Sequence, residues 1–164
     1  MVREPASRVE GFEQDPLSTQ SLTMPYVTGN GFEITGNGFP EITSSSLLPT
    51  GNLLFVRDGV QEITIRFPEG QAVGAFSFDY VTQEEWVLTF SNFSIRLPPA
   101  RTGFVGVLFQ KHLPTEFTLA SSADVQGGLL LDNIRYAAPF MPSTPTSTIT
   151  YTPTSTYTPE PDTP

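Results

Sequence analysis

Cysteine is absent from the 164-residue chain, and histidine, lysine and tryptophan each occur once. Without cysteine there can be no disulfide, thiolate zinc site, iron–sulfur cluster or cysteine nucleophile. A lone histidine, His112, rules out a histidine-rich metal centre, and a Ser–His–Asp triad would have to use it as its base. It stands in the polar stretch "QKHLPT", and no G-x-S-x-G elbow occurs, so it is expected in a surface loop. Long apolar runs are missing too. None approaches the ~20 residues of a membrane span, and the opening "MVREPASRVEGFEQD" contains none of signal-peptide length. Positive charge is scarce, 8 basic against 17 acidic residues, for a net charge of −9. Such a surface repels phosphate backbones and anionic lipid, so neither nucleic acid nor membrane insertion is expected.

Helical periodicity is the last absence. No window keeps a 3.6-residue repeat over three turns, and 13 Gly and 16 Pro interrupt the chain at short intervals. Short alternating apolar segments are present instead: 52–58, 61–67, 72–80, 85–90, 102–109, 115–121 and 128–136, with earlier candidates at 9–13 and 24–27. In "QEITIRF", Ile63, Ile65 and Phe67 alternate with Glu62, Thr64 and Arg66, one face buried and one wet. The "GV" between 52–58 and 61–67 reads as a tight connection. Eight or more such strands at 8–15-residue spacing predict an all-β chain, an antiparallel β-sandwich or barrel.

"TGNGFEITGNGFPEI" (28–42) lacks the third glycine spacing of a dinucleotide loop, the Gly-Lys-Ser/Thr of a phosphate loop, and the Asp and nine-residue period of a calcium β-helix. Gly and Asn tolerate positive φ, so it reads as two turns around a short "FEI" strand, with Asn30 and Asn37 not expected to touch a ligand. The last 27 residues hold 7 Pro and 12 Ser or Thr, with "TPTST" at 144–148 and again at 152–156. The expected organisation is a flexible N-terminus (1–8), a β-sandwich domain (9–137) and an extended Thr/Ser/Pro-rich stalk (138–164). Tracts of this kind belong mostly to exported or surface-attached proteins, so an extracellular location is expected.

Candidate site residues are few. Glu84 and Glu85 are adjacent and would point to opposite faces of a strand, so the paired carboxylates of a glycoside hydrolase are not expected. Phe76, Phe78, Phe90, Phe104 and Phe109 read as core. Trp86, behind two glutamates, and Tyr80 are the candidates for a sugar-stacking platform. Asp132, directly after Leu129, Leu130 and Leu131, is costly to bury unpaired. It could meet Glu13 across first and last strands in a 6–8-oxygen calcium site completed by carbonyls. Equally, Asp132 and Asn133 could cap a strand or pair with Arg135.

Three stretches, "AVGAFSFDY", "TGFVGVLFQKHLPTEFTLASS" and "GGLLLDNIRYA", resemble the jelly-roll domains of exported bacterial proteins of the PEP-CTERM type. The matching pieces are Phe104 to Val107, Pro114 with Phe117 to Ser121, and Asp132 to Tyr136. The opening "GFE" and closing "LDNI" are similar to jelly-roll carbohydrate-binding modules of families 4 and 9. That resemblance implies a jelly-roll, galactose-binding-like topology and a structural calcium held by Glu13 and Asp132. The function it implies is a non-catalytic extracellular module binding polysaccharide or cell-surface glycan. The alternative is a purely structural or adhesive surface domain with no small ligand.

Overall fold

A computed structural model describes residues 8–10, 12–18, 22–37, 40–48, 51–56, 62–121 and 128–139. Among the described residues twelve strands run in chain order: β1 Arg8–Glu10, β2 Tyr26–Val27, β3 Glu33–Gly36, β4 Pro40–Ser44, β5 Asn52–Val56, β6 Glu62–Arg66, β7 Ala75–Thr82, β8 Trp86–Phe90, β9 Phe93–Leu97, β10 Ala100–Leu108, β11 Glu116–Ser121 and β12 Leu129–Ala137. A 3-10 turn, Pro68–Gly70, follows β6. The expected stalk from 140 onward and residues 1–7 lie outside the described residues.

Strand pairing divides the chain into two antiparallel sheets. The first has the order β10-β7-β12-β5-β4, with β1 pairing β12 beside β5; the second has the order β2-β3-β6-β11-β8-β9. The eight strands from β5 to β12 pair as a nested hairpin, β5 with β12, β6 with β11, β7 with β10 and β8 with β9. Each successive pair lies in the other sheet, and that alternation is the jelly roll. β1 to β4 extend the edges of this frame. The same arrangement corrects one expectation. β5 and β6 are not a hairpin, because they lie in different sheets, and the connecting residues 57–61 lie outside the described part.

Alternation explains why these segments form a sandwich. Phe76, Phe78 and Tyr80 on β7, Trp86, Leu88 and Phe90 on β8, and Ile63, Ile65 and Phe67 after every second residue of β6 turn inward and are buried. The inner layer is dominated by rings: Phe76 and Phe117 are 4.6 Å apart between centroids, and Phe67 meets Phe76 edge-on at 5.6 Å. Each such ring buries well over a hundred square ångströms, which makes this cluster the main source of stability. A smaller cluster, Leu48, Leu53 and Val81 with Phe55 and Leu130, covers the outer face of the first sheet. Gly103 exists for the packing: a Cβ there would lie 2.3 Å from the Tyr80 ring.

One core expectation fails. Phe104 is 63% exposed, because on β10 the inward phase belongs to Gly103, Val105 and Val107 and sets Phe104 on the opposite face. The "TGNG" reading holds for its first copy. The Thr28 Oγ1 accepts the Phe32 amide at 3.1 Å and Gly31 takes φ 85° in the turn joining β2 to β3. The second turn falls partly on residues 38 and 39, outside the described residues.

Candidate functional site

Both predicted stacking rings are inside the protein. Trp86 is 1% exposed and Tyr80 4%, because each stands in phase with the inward residues of its strand. The Tyr80 hydroxyl donates to the Pro98 carbonyl at 3.4 Å, and burial raises its pKa. Neither ring presents a face that a sugar could stack on. His112 is exposed, as expected of a loop residue.

Asp132 and Glu13 are brought into one region. β1 pairs β12, Glu10 opposite Ile134, so first and last strands are neighbours. Asp132 lies opposite Asp79 of β7, and a bulge between Asp132 and Arg135 interrupts the ladder there. Asn133 occupies the bulge at φ 51°, a conformation that Asn tolerates better than most residues. Its backbone amide donates to Asp132 Oδ1 at 2.6 Å, while its Nδ2 reaches Asp79 Oδ2 at 3.0 Å and Asp132 Oδ2 at 3.5 Å. Arg135 stands 3.8 Å from Asp79. Asp132 is fully buried. Burial, then the charges of Glu13 and Asp79, push its pKa up to about 6 against the opposing pull of the Asn133 amide and Arg135.

This cluster meets part of what a calcium site requires. Its donors are hard oxygens and its negative potential is undercompensated. Asn133, however, already donates to both Asp132 oxygens, and among the described residues no three His, Asp or Glu side chains converge on a point where an ion could sit.

The outer face of the second sheet carries a different arrangement, which the alternation of each strand hinted at but register alone reveals. Thr35 of β3 lies opposite Thr64 of β6, Thr64 opposite Thr118 of β11, Thr118 opposite Thr89 of β8, and Thr89 opposite Ser94 of β9. Five hydroxyls thus form one row across five strands. At the usual spacing between strands the row is about 19 Å long. Thr64 and Thr118 share a hydrogen bond of 3.1 Å, and Thr89 and Ser94 one of 3.0 Å. Beside the row, Arg66 bridges Glu33 (3.0 Å) and Glu116 (3.3 Å), and Arg96 pairs Glu85 (2.9 Å).

Where the row crosses β11 and β8 it borders a cleft of about 340 Å³. Thr89, Ser91, Thr115 and Thr118 offer hydroxyls to it, Glu116 a carboxylate, and Leu113 and Pro114 an apolar wall. The one acid lining the cleft is already ion-paired to Arg66. No large aromatic side chain is exposed on this face among the described residues; the exposed ring, Phe104, belongs to the other sheet. A row of Thr and Ser in five separate segments has no signature in the linear sequence, and only the strand register aligns it.

No family model matches the chain, and no curated protein does. Solved structures similar to it include a family 29 carbohydrate-binding module in complex with mannohexaose, at 12% identity and a TM-score of 0.56, covering 82% of this chain and 93% of that one. A family 29 module complexed with cellulohexaose matches at 12% identity and TM-score 0.53, covering 80% and 91%. A third structure of the family matches at 11% identity and TM-score 0.54, covering 82% and 90%. Nothing in these comparisons supports the likeness to PEP-CTERM-type proteins. At such identities what is shared is the fold, and the chain has the antiparallel β-sandwich of these carbohydrate-binding modules.

Proposed function

We propose that the domain is a non-catalytic glycan-binding module whose binding surface is the outer face of the second sheet. The observation that carries this reading is the row of five hydroxyls from Thr35 to Ser94, bordered by the cleft at Thr89 and Thr118. A hydroxyl both donates and accepts, so such a row can exchange its internal hydrogen bonds for those of a polyol at little cost. Leu113, exposed at the rim of the cleft, would pack the C–H face of a sugar ring. The neighbouring folds support the same reading, since the modules named above were captured with mannohexaose and cellulohexaose. The Thr/Pro-rich tract supports a location outside the cell, where polysaccharide is met.

With no exposed ring on this face among the described residues, binding rests on hydrogen bonds worth roughly 0.5–1.5 kcal/mol each. A handful gives a dissociation constant of about a millimolar. Affinity electrophoresis in gels containing galactomannan or soluble cellulose derivatives would therefore detect it better than dilute-solution titration. Retarded migration of the wild type, lost in a Thr89→Val/Thr118→Val double variant that keeps β-branched side chains, is the expected result. Equal retardation of both would place binding elsewhere. No retardation in any neutral polysaccharide would leave the structural or adhesive reading, which the lack of an exposed ring on this face among the described residues favours.

Calcium forms a separate part of the proposal. Asp132 and Glu13 would hold it, with backbone carbonyls completing the shell, and its role would be to neutralise the acidic cluster where β1 joins β12. The support is the gathering of acids there: Asp132 lies opposite Asp79, and after burial the charges of Glu13 and Asp79 add to the rise of its pKa. Melting curves recorded with calcium and with chelator should differ by several degrees; superimposable curves would remove the ion.

A further inference from the structure

Three of the four strands that end the two sheet orders are blunted among the described residues. β4 is covered by backbone bonds from Ser18 to Ile42 (2.8 Å) and from Leu22 to Pro40 (2.8 Å). β2 is two residues long, and β9 carries exposed Ser94 and Arg96 and runs into Pro98 and Pro99. β10 is the exception. It is nine residues long, and the described residues pair it with β7 alone.

Its open side can be read from one hydrogen bond. The Phe109 amide donates to the Gly74 carbonyl at 2.8 Å, so the amides of Val107 and Val105 also face β7. By the alternation of an antiparallel ladder, those of Leu108, Gly106 and Phe104 face away. The same three residues carry the outer face: Phe104 is 63% and Leu108 83% exposed, and the Phe104 ring rests against Gly106, 3.2 Å from where a Cβ would stand. None of the usual protections is present. Between Thr102 and Phe109 there is no charge and no proline, and the bulge ends at Gly103.

We propose that β10 pairs edge to edge with the β10 of a second copy of this chain. A two-fold axis through Gly106 would set Phe104 of one copy opposite Leu108 of the other, twice, with the glycines at the centre. The Phe-x-Gly-x-Leu alternation is thus self-complementary. Charge favours the same place. With −9 on each copy, an uncharged edge is where two copies approach with least repulsion. One strand pair buries less than the ~1,200–2,000 Å² of a standard interface, so the dimer is weak, rises with concentration, and is strengthened by salt that screens the like charges. This inference stands independently of glycan binding.

The test is sedimentation equilibrium on the full chain over a concentration series at low and high salt, with residue-resolved amide exchange alongside. The expected mass moves from monomer toward dimer as concentration rises, further at high salt. Amides of Phe104, Gly106 and Leu108 slow on concentration, while those of Val105 and Val107 are protected throughout. Phe104→Lys and Leu108→Lys, at exposed positions and checked for an intact fold by their melting curves, should each hold the chain monomeric. A monomer at every concentration, or association that both lysine variants leave intact, would overturn the proposal. So would slow exchange of the three amides even when dilute, which would mean that residues 140–164 or another part of the same chain cover the edge.

Discussion

Asp132 is the residue whose chemistry can be followed furthest. Its carboxyl titrates near 6 in the folded chain, above the ordinary value for an unfolded aspartate, so the fold prefers the protonated form. The stability this contributes is complete below about pH 4 and is lost as pH rises through 6. For a fully buried group, a shift of this size corresponds to roughly 2–3 kcal/mol. In chelator, wild-type stability measured by urea denaturation should therefore fall by about that amount between pH 4 and pH 7 relative to Asp132→Asn. Parallel profiles would refute it, and on the calcium proposal added calcium should flatten or reverse the fall. Asn133→Ala removes the bridge to both carboxylates and places a Cβ residue without the Asn side-chain bonds at φ 51°, for an expected loss of about 1–3 kcal/mol. Legibility at this scale was uneven. "LLLDN" announced a buried acid because a charge after three leucines must find partners, whereas the bridging role of Asn133 depends on Asp79, 54 residues away. Trp86 read as ambiguous because two glutamates precede it, yet the phase of β8, which decides its burial, is set by Leu88 and Phe90.

Among the elements, the strands inside the two sheets were legible, and two of those at the sheet edges were not. β6, β8, β11 and β12 fall within two residues of where the apolar segments placed them, and β7 begins three residues later than expected. β4 and β9 went unread: "PEITS" is buried at three consecutive positions, and "FSIRL" has partly exposed Phe93 and Ile95 at a sheet edge. β10 was found but Phe104 was put on the wrong face, since Phe104 and Phe109 differ in phase and Gly103 leaves the inner side apparently small. Gly103 tests the corrected phase. Gly103→Ala would drive a methyl into the Tyr80 ring at 2.3 Å, and it should cost about 1–3 kcal/mol. Gly106→Ala faces outward near the flexible edge of Phe104 and should cost less than a third of that. Equal effects of the two would mean that the assigned faces of β10 are wrong. The hydroxyl row is the element-scale feature that no reading of single strands could supply, because each strand contributes one ordinary outward threonine or serine.

At the scale of the molecule the nested pairing governs how the chain can fold. β5 must find β12, with Val56 opposite Leu129, before the first sheet has a centre. β6 must likewise find β11 across 54 residues, as Thr64 and Thr118 show. Of the four nested pairs only the innermost, β8 with β9, is local. Loop closure over such distances is entropically expensive before any contact rewards it, so relaxation should fall in the millisecond-to-second range of non-local all-β domains. Trp86 supplies the probe: it is the one tryptophan, fully buried, and paired with both Leu97 and Ser121. Its fluorescence should change together with far-UV circular dichroism in a single denaturant transition, because neither sheet can bury its inner face without the other. Separate transitions, or folding in microseconds, would show that one sheet forms alone. The net charge of −9 adds a further requirement. Self-repulsion is largest in the compact state, so the midpoint of that same transition should move to higher urea as salt is added, without a change in its slope. If salt leaves the midpoint unmoved, the acidic surface is already compensated, and an ion held at the Asp132 cluster becomes the first place to look.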